Sequence, residues 1–95
     1  MIKREIKCEK GIIECYEIPL PYASFILLKA KNGYVMCGYL NMDTADKIGD
    51  IAGIVSGVRS IDDALKSRIL QVSSMAREKG LSEGMIALDF LNKLF

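Results

Sequence analysis

Apolar and polar residues alternate along the first eighteen positions of the chain, which is the pattern of half-buried β-strands. A two-residue turn at Lys10-Gly11 folds this segment into a hairpin. In that register two oppositely charged cross-strand pairs form, Lys7 with Glu14 and Arg4 with Glu17. The same register places the apolar side chains on one face, because side chains alternate along a strand. Those side chains are Ile2, Ile6, Cys8, Ile13 and Cys15.

A second alternating segment, residues 24–41, is divided by Asn32-Gly33. Asn-Gly between apolar runs is a strong hairpin signal, because a type I′ turn needs positive φ at both central residues. The opposing pairs that this turn predicts on the core face are Ala30 with Val35, Leu28 with Cys37, and Ile26 with Tyr39. The other face is polar near the turn and apolar further away. It therefore needs a cover of helices or of a second subunit.

The segment Pro19-Leu20-Pro21 separates the two predicted hairpins. Each proline removes a ladder donor and restricts the residue before it, so we expect a crossing or an edge connection here. After the second hairpin, Asp43 or Thr44 can cap a short helix over residues 44–51. Residues 53–58 read as a short buried strand between glycines.

The last third of the chain has helical periodicity. Ser60 with Asp63 resembles a capping box, and a helical apolar stripe follows over residues 61–79 as one helix or as two. Gly80 is a typical helix end. A final helix is predicted over residues 83–94, capped by Ser82.

These elements predict an α+β fold. An antiparallel or mixed sheet forms from the two N-terminal hairpins plus a short extra strand, and helices pack on it. At 95 residues the chain is long enough for one compact domain. We expect a single domain over residues 1–95, with an N-terminal sheet over 2–41 and a mixed α/β part over 42–95.

Composition and charge narrow the range of partners. The formal net charge is +1 and no basic stripe is present, which argues against nucleic acid and against an anionic membrane surface. A hydrophobic fraction of 51% is high for so small a domain. We therefore predict a homo-oligomer that hides part of this apolar surface.

The chain has no histidine, which removes the commonest general base and the commonest metal ligand. Its three cysteines are odd in number and form no Cys-x-x-Cys pair, so neither a disulfide framework nor a zinc site is predicted. We expect reduced thiols in the cytoplasm, no cofactor and no metal. No signal peptide and no run of membrane-spanning length is apparent.

Cys37 is the candidate catalytic residue. It lies in a predicted strand beside Gly38, where a ligand can approach the backbone closely. A reactive thiol needs a neighbour that stabilises the thiolate, and Arg59 is one candidate. The alternative is that Cys37 is a small buried side chain opposite Leu28.

The turn that contains Arg59 and Ser60 is the candidate ligand site, together with Gly38. A strand that ends in glycine can present free backbone N–H groups to an anion, and Arg59 can add a bidentate fork. The alternative is an ordinary capped helix with Arg59 in an ion pair. Asp43, Asp46 and Asp50 are a third candidate: Asp46 and Asp50 lie one helical turn apart and could share a cation, but we interpret the group as a solvated face.

Four segments, taken together, resemble the YunC-like family, known as domain of unknown function 1805, which occurs in bacteria and archaea. The segments are Pro19-Leu20-Pro21, Gly33 to Asn41, Gly57 to Asp63, and Gly80 to Met85. The resemblance covers nearly the whole chain. It implies a small α+β domain whose N-terminal strands form an oligomer, a dimer or a tetramer. It implies no activity, substrate or cofactor.

Two classes of function remain open at this point. The first is an uncharacterised cytoplasmic assembly module that forms a homo-oligomer through its N-terminal strands and binds a small ligand. The second is a small enzyme that uses Cys37 as a nucleophile or redox thiol, with Arg59 as the anion anchor.

Overall fold

The computed structural model describes residues 1–95, which form one six-stranded sheet and four helices. The strands are β1 (Ile2–Lys7), β2 (Ile12–Pro19), β3 (Ser24–Lys29), β4 (Tyr34–Met36), β5 (Ala52–Ile54) and β6 (Gln71–Val72), in that spatial order. The helices are α1 (Met42–Ile48), α2 (Ile61–Lys66), α3 (Ser74–Glu78) and α4 (Ala87–Asn92). Only β4 and β5 pair in parallel. The predicted α+β fold with a mixed sheet is confirmed.

The first hairpin has a register two residues away from the predicted one. Ile6 opposes Ile13, and the turn lies one residue earlier, at Glu9-Lys10. A shift of two keeps every side chain on its face, so the predicted apolar face is right. The predicted ion pairs are wrong, because their members no longer oppose each other. Arg4 pairs instead with Asp62 of α2 at 3.0 Å.

The second hairpin is shifted in the same way. Leu28 opposes Val35, and the N–H of Ala30 donates to the carbonyl of Gly33 at 2.8 Å. Neither Asn32 nor Gly33 has a positive φ, so the predicted type I′ turn is wrong. The predicted core position of Tyr39 is also wrong: β4 ends at Met36, and Tyr39 is 52% exposed.

The glycine at each hairpin tip is explained by the C-terminus of the chain. A Cβ on Gly33 would collide with the backbone oxygen of Ile51 and with the Leu94 side chain. A Cβ on Gly11 would collide with the ring of Phe95. Leu94 therefore lies against the tip of the second hairpin and Phe95 against the tip of the first. In both places the absence of a glycine side chain provides the space.

The Pro19-Leu20-Pro21 segment is a hairpin connection, so the predicted crossing is wrong. The N–H of Leu20 donates to the carbonyl of Ala23 at 2.9 Å, and β3 returns beside β2. Pro19 is tolerated because it lies at the end of its strand, opposite Ser24.

Helices cover the two faces of the sheet unequally. On the inner face, α2 and α4 bury one large apolar cluster that includes Ile13, Leu28, Val35 and Phe90. On the outer face, a smaller cluster joins Met42 and Ala45 of α1 to side chains of β3, β4 and β5. The outer face of β1 and β2 has no helix over it.

The helix boundaries differ from the predicted ones at three points. α1 begins at Met42, because the side chain of Asn41 accepts from the N–H of Asp43 at 2.8 Å. The stripe over 61–79 is two helices with β6 between them. α4 begins at Ala87 because Gly84 has φ of 89° and Ile86 bridges to Arg68. The helix ends predicted at Ser60 and Gly80 are confirmed.

None of the four helices has the length and hydrophobicity that crossing a membrane requires.

We expect Gly33→Ala to lower the free energy of unfolding by about 1–3 kcal/mol, because the added methyl group overpacks a rigid backbone contact. Gly38→Ala is the matched control, since a Cβ there meets nothing within 4 Å. Urea-induced unfolding of both variants measures the difference. Equal stability of the two variants would contradict the close-approach explanation for Gly33.

Candidate functional site

The connections that follow the parallel strands β4 and β5 leave the sheet toward opposite faces. The segment after β4 leads into α1 on the outer face, and the segment after β5 leads into α2 on the inner face. Neighbouring parallel strands whose connections leave toward opposite faces open a crevice at their carboxyl ends. In α/β sheets, ligands bind at such switch points.

A pocket of about 400 Å³ lies at this crevice. Three segments form its wall: the β2–β3 turn, the end of β4, and the loop between β5 and α2. The lining residues are Tyr22, Ala23, Ser24, Cys37, Gly38, Tyr39, Ser56, Gly57, Val58 and Arg59. We call it the switch-point pocket. It brings together three of the four predicted site residues, Cys37, Gly38 and Arg59.

Cys37 contributes to the wall of this pocket from a buried position. It is 3% exposed, and its sulfur accepts a hydrogen bond from the N–H of Ile26 at 3.3 Å. The side chain packs in the inner-face cluster, on the same face as Leu28. The thiol therefore has a packing role and also borders a cavity.

Ser60, the fourth predicted site residue, does not line the pocket. Its hydroxyl accepts from the N–H of Asp63 at 3.1 Å and caps α2. The carboxylate of Asp63 in turn accepts from the backbone N–H of Arg59 at 3.0 Å. This pair of hydrogen bonds fixes the loop that carries Arg59 into the pocket wall.

The other two thiols lie away from the pocket lining. Burial raises the pKa of Cys15 to about 11, which keeps this thiol protonated at neutral pH. Cys8 is half-buried, and its thiol donates to the carbonyl of Gly11 at 3.2 Å. All three cysteines are free.

Two of the three aspartates considered as cation ligands make other contacts. Asp46 accepts from the backbone N–H of Ser74 at 2.7 Å, at the start of α3. Asp50 accepts from the hydroxyl of Tyr34 at 2.6 Å. No group of three or more acidic or cysteine side chains is placed to hold a metal ion.

A larger groove, about 850 Å³, lies on the outer face between α1 and the β3–β4 hairpin. Its wall is mostly apolar and includes Leu27, Met36, Leu40 and Ile48, with Lys29 among the charged residues. The sequence reasoning missed this α1 groove. The available signal was the apolar far end of the second hairpin's outer face, which α1 covers only in part.

Comparison with known proteins places this geometry in a family. The profile of the family described as "Domain of unknown function (DUF1805)" matches residues 36–94. The chain is 31% identical over 81 residues to the uncharacterized protein YunC of Bacillus subtilis (strain 168), covering 81% of this chain and 80% of YunC. It is also similar to the crystal structure of a protein of unknown function, TA1206 from Thermoplasma acidophilum. That match has a TM-score of 0.92 and 33% identity, and covers 99% of this chain and 92% of the other.

The raised pKa of Tyr34, in the wall of the α1 groove, predicts how the stability of the protein depends on pH. Burial and the hydrogen bond to Asp50 raise its pKa to about 12, above the ordinary value of 10. The folded protein therefore keeps a proton that the unfolded chain loses, and stability falls as the pH rises from about 10 to about 12. We expect Tyr34→Phe to lose less stability over this range. Tyr22→Phe, which removes a fully exposed phenol, is the control. The free energy of unfolding, measured against pH by urea denaturation, reports the difference. An equal loss of stability in wild type and Tyr34→Phe would contradict this expectation.

Proposed function

We propose a function on the premise that this chain belongs to the DUF1805 family. The protein is a small α+β module that forms a homo-oligomer, a dimer or a tetramer, through its N-terminal strands. It binds a small ligand in the switch-point pocket. The observation that carries the assembly is the outer face of β1 and β2, which no helix covers.

Apolar side chains on this outer face support an interface there. Ile12 and Ile18 of β2 are 50% and 37% exposed, and Tyr16 lies half-buried between them. Leu27 of β3 lies opposite Tyr16 and continues the apolar surface toward the α1 groove. Contiguous apolar surface of this kind is typical of protein–protein contacts.

Charged side chains of both signs alternate with these apolar ones. Glu5, Glu14 and Lys29 form one row across the strands, and Lys3 lies 5.7 Å from the ring centre of Tyr16. A two-fold axis places a surface against an inverted copy of itself, so mixed signs can pair across such an interface.

The edge of β1 offers a second contact to a copy of the chain. Its outer backbone groups have no strand beside them. A two-fold axis at Arg4 sets Lys3 opposite Glu5 of a second copy in an antiparallel pairing. The charge of Arg4 is already matched by Asp62, which lowers the repulsion between the two Arg4 side chains at the axis.

The proposal includes a prokaryotic cytoplasm as the location. The three free thiols fit a reducing compartment. The relatives named above come from Bacillus subtilis and Thermoplasma acidophilum.

We expect the double variant Ile12→Lys/Ile18→Lys to have a smaller mass in solution than the wild type, because four added charges in a dimer would repel across the interface. Both positions are exposed, so the fold itself tolerates lysine. Light scattering after size exclusion measures the mass. Leu70→Lys is the matched control, since Leu70 is 59% exposed but lies next to β6 at the opposite edge of the sheet. An unchanged mass in the double variant would overturn the interface proposed on the outer face of β1 and β2.

A second candidate function is supported by one observation: the switch-point pocket contains both Cys37 and Arg59. In this alternative the Cys37 thiol loses its proton to solvent, and its sulfur forms a bond to an electrophilic carbon of the substrate as a leaving group departs from that carbon with the bonding electron pair. Arg59 holds an anionic group of the same molecule. The sulfur of Cys37 is buried and accepts a hydrogen bond from the N–H of Ile26.

We expect Cys37, if it is a nucleophile, to react with iodoacetamide faster than Cys15 in native protein at pH 7.5. Cys15 is the internal reference, because burial raises its pKa to about 11. Peptide mass spectrometry after timed quenching reports both rates. Labelling of Cys37 only after unfolding would leave this residue as a packing side chain and remove the enzyme alternative.

A further inference from the structure

The residues that line the switch-point pocket identify the chemistry of its ligand. We infer that the pocket binds a small oxyanion, a carboxylate or a phosphate group, through Arg59 and the backbone amides of the loop between β5 and α2. This inference rests on the proposed function, because it names the class of ligand for the same pocket.

The charge of the pocket is the first argument. Among its lining residues Arg59 is the only charged one, and none is acidic. The guanidinium groups of the other three arginines all have partners: Arg4 pairs with Asp62, Arg77 with Glu83, and Arg68 donates to the carbonyl of Gly84. No acceptor within the chain lies within hydrogen-bond distance of the Arg59 guanidinium. A free guanidinium in a cavity without carboxylates favours an anionic ligand.

The backbone beside Arg59 gives the second argument. Gly57 has a φ of 69°, and the N–H groups of Gly57 and Val58 donate to no acceptor within the chain. Val58 is buried, while Gly57 before it and Arg59 after it are exposed. Consecutive free amides around a left-handed residue form a nest that binds anions.

The position and the size of the pocket give the third argument. It lies at the carboxyl ends of two parallel strands whose connections diverge, where α/β sheets bind ligands. Its volume of about 400 Å³ fits a small molecule. Ser24 and Ser56 also line it, and a serine hydroxyl is a group that can donate to an oxyanion.

The test is a titration of the full-length, isotopically labelled protein, followed through its backbone amide chemical shifts. The probes are sodium acetate and inorganic phosphate, at constant ionic strength. Acetamide has nearly the same shape as acetate and no charge, so it is the neutral control. We expect acetate, phosphate or both to shift the amides of Gly57 and Val58 in a saturable way, and acetamide to leave them unchanged.

Arg59→Gln is the test variant, and we expect it to weaken binding of the anion by about tenfold or more. Arg68→Gln is the matched control, because it removes the same charge from an arginine outside the pocket. It should leave the affinity for the anion within about twofold of the wild type, because salt screens the charge of an arginine that lies outside the pocket. Shifts that survive Arg59→Gln, or that Arg68→Gln abolishes equally, would overturn the role of Arg59.

The remaining outcomes separate this inference from the function on which it rests. Saturable shifts of the same amides by acetamide as well as acetate would show a pocket that binds ligands without regard to charge. That result would overturn the inference that the ligand is an oxyanion, and it would still support the proposal that the pocket binds a small ligand. No shift at these amides with any of the three probes would overturn both, while the assembly of the N-terminal strands would still be judged by its own variants.

Discussion

The parallel pairing of β4 with β5 is the constraint on which the rest of the structure depends. Parallel neighbours need a crossover connection, and α1 supplies it on the outer face. The chain then leaves β5 toward the inner face, where α2 and α4 bury the main core. Gly53 at the centre of β5 leaves room for the side chains of Ile69 and Phe90, which lie 3.0–3.2 Å from the position that a Cβ would take. The hydrogen bonds that Leu70 and Ser73 donate to Ile54 and Ala52 complete the sheet on the other side of β5.

The same pairing divides the sheet into two parts with different surroundings. Helices lie on both faces where β4 and β5 run, and on one face only where β1 and β2 run. The switch-point pocket forms in the first part, where connections diverge, and the proposed interface lies in the second. The proposed ligand binding and the proposed assembly thus use separate surfaces of one sheet. The hairpin turn with Tyr22 and Ser24 is the element that links them, since it joins β2 to β3 and also lines the pocket.

The C-terminal residues hold the N-terminal strands to this arrangement. The carbonyl of Leu94 accepts from the N–H of Asn32, and the ring of Phe95 lies against Gly11. Segments from opposite ends of the chain are therefore joined by these two contacts, and Gly11 and Gly33 provide the space for them. Asn32-Gly33 predicted the second hairpin correctly, but neither residue adopts the positive φ of a type I′ turn. Gly33 is needed instead for the close approach of Ile51 and Leu94.

The sequence by itself determined which side chains of β2, β3 and β4 face the core, where α2 is capped, and which fold class and family result. Ile13, Cys15, Ile26, Leu28 and Val35 are all buried as the alternation predicted, because a register shift of two preserves the face. Only the tertiary structure decided the register itself, the turn at the two prolines and the interruption of residues 61–79 by β6. The apolar residues of the predicted stripe are buried, but Gln71 and Val72 pair with the open edge of β5 and interrupt the helix. Only the tertiary structure brings Cys37 and Arg59 into one pocket, because this requires β4 and β5 to lie side by side. Local periodicity carries no information about which distant strands pair.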